Sequence, residues 1–99
     1  MATDAAKFLE AKFGPLTLGR LVMAIRQCEE LSQVEFAKQL GISKSHLCDI
    51  EQGRKNISPE RAARFARLLG YSEPQFVRLA LQGLLDEAKI RMVVSVKAA

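Results

Sequence analysis

The 99-residue chain is long enough for one domain with a modest core. Its 48% apolar and 26% charged residues suit a folded globule and exclude a disordered chain. A net charge of +4 permits a nucleic-acid partner without specifying one, and no apolar run approaches the roughly 18 residues of a membrane-spanning helix.

The opening stretch, MATDAAKFLEAKFG, mixes acids with lysines and lacks a continuous apolar segment. It does not read as a secretory signal, and a cytoplasmic protein is expected. Asp4–Phe13 carries an apolar stripe (Ala5, Phe8, Leu9, Phe13) and is expected to form a short first helix, ended by Gly14-Pro15. Thr17 can cap a second helix over Leu18–Glu30, with Leu18, Leu21, Val22, Ile25 and Cys28 inward. Ser32 caps a third, Gln33–Leu40, with Val34, Phe36, Ala37 and Leu40 inward and Gly41 as a left-handed terminator. Ser43 caps a fourth, Lys44–Gln52, closed by Gly53; a short basic loop, Arg54-Lys55-Asn56-Ile57, follows. Ser58-Pro59-Glu60 joins a cap, a proline at the first helical position and an acid in the first turn, so a fifth helix runs to Leu69 before Gly70. Ser72-Glu73-Pro74 starts a sixth, Pro74 to about Lys89, and the β-branched tail Ile90–Val96 has the composition of a short strand. The expected fold is all-α with five to six helices, divided into an N-terminal helical extension (1–17), a central domain (18–70) and a final helix with its tail (71–99).

Charge concentrates in the middle third. Residues 38–67 carry seven Lys/Arg against three Asp/Glu, while the flanking stretches are nearly balanced. The same region holds the tightest pattern, QVEFAKQLGISKSHLCDIEQ, in which two short helices meet at Gly41-Ile42-Ser43. Glycine supplies the positive φ of a sharp turn, Ala37 allows close helix approach, and Ile42, Leu47 and Ile50 fill the space beneath. At about 100° per residue, Leu47 and Ile50 point inward while Lys44, Ser45, Cys48, Asp49 and Gln52 share the opposite arc. Such a face fits the major groove: Lys44 can donate to guanine O6/N7, Asp49 can accept from cytosine N4, and Ser45 can do either. The alternative is an ordinary solvated helix face.

The stretch from Leu18 to Gly70 resembles the phage repressor/Cro-type (XRE-like) helix-turn-helix family. The resemblance rests on Ser32-Gln33 before x-x-Phe36-Ala37, on Leu40-Gly41-Ile42-Ser43, on Leu47-x-x-Ile50-Glu51-x-Gly53-Arg54, and on Ser58-Pro59. It implies that Lys44, Ser45 and Asp49 read bases. It implies that Gln33 binds a phosphate and buttresses the reading helix, and that Ser43, Gln52, Arg54, Lys55 and Asn56 contact the DNA backbone. It also implies a structural ion pair between Arg26 and Glu51.

Arg61, Arg64 and Arg67 recur every third position; Arg61, nearest the basic loop, is the best candidate for a further backbone contact, the alternative being a solvated row. Two cysteines 20 positions apart and one histidine offer neither a zinc pattern nor a disulfide framework, so two reduced thiols, no metal and no cofactor are expected. No nucleophile–base pair or phosphate-cradling loop points to an enzyme. The sixth helix is apolar on more than one face, and Phe76, Val77, Leu81, Leu84 and Leu85 are expected at a homodimer interface. Two functions remain open: an autoregulatory repressor binding a palindromic duplex operator as a homodimer, or an antitoxin using the same domain on DNA and its termini on a toxin.

Overall fold

A computed structural model describes residues 16–99. The expected helix Asp4–Phe13 lies outside them. Five helices follow in order: α1 (Leu18–Cys28), α2 (Gln33–Leu40), α3 (Lys44–Glu51), α4 (Pro59–Leu69) and α5 (Glu73–Glu87). All are α-helices, and there is no strand among the described residues.

Each helix starts where its sequence supplies a hydroxyl. Thr17, Ser32, Ser43, Ser58 and Ser72 accept from the backbone N–H groups of Arg20, Glu35, His46, Arg61 and Gln75. Each such bond satisfies a donor that has no partner inside the helix, worth about 1 kcal/mol per cap. Ser32 and Glu35 form a reciprocal capping box.

The helix ends are also uniform. The amides of Leu31, Ile42, Arg54, Tyr71 and Ile90 each donate back five residues, to the carbonyls of Arg26, Ala37, Asp49, Ala66 and Leu85. The residue before each of these donors has positive φ: Glu30, Gly41, Gly53, Gly70 and Lys89. This is the left-handed closure that ends helices with their last carbonyls satisfied. Glu30 and Lys89 adopt it without being glycine, which is why α1 and α5 stop at Cys28 and Glu87 rather than at the expected Glu30 and Lys89.

The core gathers the inward stripes of all five helices. Phe36, Phe65 and Phe76 are its largest fully buried side chains, joined by Val22, Leu40, Leu47 and Ile50. Burial of such a side chain contributes about 1.5–3 kcal/mol. The core continues past Gly70, because Phe76, Leu79 and Ala80 of α5 are buried in it and α5 packs extensively on α4. Three expectations are corrected here. Cys28 is exposed, because α1 ends there beyond the core stripe. Val34 is 47% exposed, because on α2 the Phe36–Ala37–Leu40 face turns inward and leaves Val34 outside. Phe76, assigned from sequence to a dimer interface, is only 1% exposed within its own subunit and is thus not available to a second one.

The tail is not a strand. A strand needs a neighbouring backbone to satisfy its ladder, and Ile90–Val96 has none among the described residues. The Gln82 side chain takes that place: its Nε2 donates to the Met92 carbonyl at 2.8 Å, and its Oε1 accepts from the Val94 amide at 3.0 Å. One side-chain amide therefore pairs with the tail as a peptide group would.

Gly19 sets a close approach between α1 and α3. A Cβ built on it would lie 2.1 Å from the Ile50 carbonyl oxygen. Only a hydrogen at this position lets α1 rest on the backbone of α3. Since backbone cannot yield as a flexible side chain does, Gly19→Ala should cost about 3 kcal/mol. At about 4–8 °C per kcal/mol for a domain of this size, thermal denaturation should show Tm lowered by more than about 10 °C.

Candidate nucleic-acid interface

Helix α3 meets α2 across a three-residue turn, Gly41-Ile42-Ser43. Gly41 takes φ +72°, Ile42 is half-buried beneath the turn, and Ser43 caps α3. Leu47 and Ile50 are 0% and 1% exposed and lock the inner face of α3. The outer arc carries Lys44 and Ser45, both exposed, Cys48 and Asp49, both half-buried, and exposed Gln52 at the C-terminus.

Beneath this arc lies Glu51, the one buried charged residue among the described residues. Arg26 of α1 donates to it twice, Nε to Oε2 at 2.7 Å and Nη2 to Oε1 at 3.1 Å, and its Nη1 donates to the Leu31 carbonyl at 3.0 Å. Gln33, the first residue of α2, adds a bond from Nε2 to Oε1 at 3.0 Å. Hydrogen bonding to the Glu51 carboxylate raises the Arg26 guanidinium above its ordinary value. A planar fork on a carboxylate fixes orientation as well as distance. The network thereby ties α1 and the start of α2 to the last residue of α3. The family resemblance implies a phosphate contact and a buttressing position for Gln33; its amide nitrogen is engaged with Glu51.

The basic loop returns to the outer arc. Arg54 Nε donates to Asp49 Oδ1 at 2.9 Å, and Lys55 Nζ lies 3.8 Å from Asp49 Oδ2. Arg54 hydrogen bonding, then the nearby cations, holds the Asp49 carboxyl below its usual range. Asn56 turns elsewhere: its Nδ2 donates to Glu87 at the end of α5, so its amide is not presented with the arc. Arg61 Nη1 lies 3.4 Å from both ring nitrogens of His46. Of the arginine row on α4, Arg67 pairs with Glu73 at 3.3 Å. The structure thus brings Lys44, Ser45, Asp49, Arg54 and Lys55 to one surface, with Arg61 at its margin against His46.

A family model described as a helix-turn-helix domain matches residues 17–79. The chain belongs to the helix-turn-helix domain family. The immunity repressor protein of Bacillus phage phi105 is 38% identical to this helix-turn-helix chain over 55 residues, covering 56% of it and 38% of the relative. The ImmF control region 10 kDa protein of the same phage is 42% identical over 52 residues, covering 52% of the chain and 58% of that relative. The chain therefore spans less than two thirds of either relative. No solved structure gives a significant match. No helix among the described residues is long and apolar enough to cross a membrane.

Four features escape the sequence. Gly19 leaves a faint signal, since glycine inside a helical stripe costs about 1 kcal/mol and asks for a packing reason. The Gln33–Glu51 bond, the Asp49–Arg54 pair and the Gln82 clasp of the tail leave none, because they depend on which rotamers the assembled surface brings together.

Two outcomes test this arrangement. Glu51→Ala should destabilise the domain by about 3–5 kcal/mol, because it leaves Arg26 unpaired beside the core; the double variant Arg26→Met/Glu51→Leu should recover most of that loss in urea denaturation. The second concerns His46, the chain's one histidine. Burial, then the cations of Arg61 and Lys55, hold its imidazole below the ordinary range, so the folded state favours the neutral ring. This contribution is fully present above the unfolded value near 6.5 and is lost as pH falls through it toward the folded value. Between pH 7.5 and 5.5 the urea midpoint of the wild type should drop further than that of His46→Gln.

Proposed function

We propose that this protein is a sequence-specific regulator of transcription that binds duplex DNA, acting in the cytoplasm as a homodimeric, autoregulatory repressor on a palindromic operator. The observation that carries the proposal is the division of α3. Its inner face is immobilised by Leu47, Ile50 and the Glu51 network, while Lys44 and Ser45 are left exposed on the outer arc. A rigid helix with short polar groups outward matches the donors and acceptors of the major groove. The names of the two phage phi105 relatives, an immunity repressor and a control-region protein, support regulation.

In this reading Lys44 and Ser45 face base edges. Gln33, Ser43, Gln52, Lys55 and Arg61 grip phosphates, and Asp49 with Arg54 acts at the same surface. One α3 covers only a few base pairs, and pairing two of them about one DNA turn apart supplies the missing affinity. Leu84 (43% exposed), with half-buried Val77, Leu81 and Leu85, offers the dimer its apolar contact on α5. A second reading, an antitoxin, draws on the exposed tail: Met92 is 67% and Val93 90% exposed, an edge on which a partner protein can dock. Recovery of one stoichiometric small protein bound to the tail would favour it.

Selection of bound fragments from random duplex DNA tests the proposal: a palindromic consensus is expected, and no enrichment would sink it. On the selected duplex, Lys44→Ala should relax preference at one base pair per half-site. Lys55→Ala should weaken binding to all duplexes evenly and flatten the slope of log K against log salt by about 0.9 per phosphate lost.

A further inference from the structure

We propose that Asp49 and Arg54 form one reading unit, in which Asp49 aims the Arg54 guanidinium at a guanine edge and does not itself contact a base. The inference rests on the DNA-binding function above.

Asp49 holds Arg54 at two levels. Its backbone carbonyl accepts from the Arg54 amide at 2.8 Å and from the Lys55 amide at 3.3 Å, made possible by Gly53 at φ +76°. Its carboxylate accepts from Arg54 Nε at 2.9 Å. Both ends of the arginine are therefore fixed by one residue of α3. Arg54 Nη2 also lies 3.5 Å from Cys48 Sγ, which lays the guanidinium along the outer arc rather than away from it. Of the five N–H donors of a guanidinium, Nε and one on Nη2 are engaged. The outer fork, Nη1 with the second N–H of Nη2, has no hydrogen-bond partner among the described residues and belongs to a side chain 59% exposed. That fork is the pair of donors that matches guanine O6 and N7.

Asp49 is poorly placed as a direct acceptor. Oδ1 takes the Arg54 bond, Oδ2 faces Lys55 Nζ at 3.8 Å, and its side chain is 28% exposed. The pair also changes the electrostatics of the surface. Asp49 offsets one of the two charges of Arg54 and Lys55, which lowers sequence-independent attraction to phosphate. It leaves the directional donors of the fork in place. The acid on a DNA-facing arc then lowers background binding while it sharpens one contact.

The test uses the full chain with the duplex selected above and a scrambled duplex, each titrated over a range of salt. Asp49→Asn should strengthen binding to the scrambled duplex and steepen its salt slope by up to about 0.9. It should lower the selected-to-scrambled affinity ratio about tenfold, within the range of one bidentate base contact. Arg54→Lys keeps the charge and removes the planar fork; it should lower the ratio similarly with little change on scrambled DNA, and relax preference at the same base pair. Unaltered circular dichroism and Tm would show that both variants remain folded. A ratio unchanged in both variants overturns the inference and leaves the pair a surface ion pair. So does a switch of base preference in Asp49→Asn that Arg54→Lys does not share, since Asp49 would then read the base itself. Absence of any duplex preference in the wild type would instead remove the DNA-binding function, and the inference with it.

Discussion

The fold depends on one buried carboxylate. Glu51 sits at the end of α3, its side chain 1% exposed, and receives donors from α1 and α2. A buried charge without partners would cost several kcal/mol, so the chain folds only in an arrangement that brings Arg26 and Gln33 to it. That requirement fixes the rotation of α3 about its own axis. Leu47 and Ile50 supply the adhesion; Glu51 supplies the angle. The polar arc of Lys44 and Ser45 faces outward because the opposite edge of the helix has a prescribed set of neighbours.

The helix starts and the two-helix turn were legible because their signals are local. A hydroxyl followed by an apolar stripe, or a glycine after the last periodic residue, acts over a turn or two of chain, and the five caps lie where those residues lie. The helix ends of α1 and α5 were less legible because Glu30 and Lys89 take a conformation that composition does not announce. Cys28, Val34 and Phe76 went the other way for a common reason. Helical periodicity identifies an apolar stripe, but which edge of a wide stripe becomes buried depends on the neighbour, and the neighbour is a property of the whole fold. The tail shows the converse limit, since β-branched composition does not make a strand where no second backbone pairs with it among the described residues.

The outer surface was legible by residue type and only partly by arrangement. Lys44, Ser45, Asp49, Arg54 and Lys55 do share a face, as their spacing around a helix and its following loop implies. What the spacing could not convey is that Asp49 engages the loop through both its carbonyl and its carboxylate, or that Asn56 turns toward Glu87. Side-chain pairing between an exposed helix and an adjacent loop has no periodic signature.

The contact between Gly19 and Ile50 has a consequence for how such a protein can change. At Gly19, α1 meets α3 main chain against main chain, and the side chains that add to this seat, Arg26 with Glu51 and the buried Leu47 and Ile50, lie off the outer arc. The lettering of the arc and the mounting beneath it are therefore chemically independent. Exchanging Lys44, Ser45 or Cys48 rewrites what the helix presents while its height and tilt stay as they are. The outer arc can therefore vary in chemistry without touching the contacts that seat the helix, because the two sets of contacts do not share side chains.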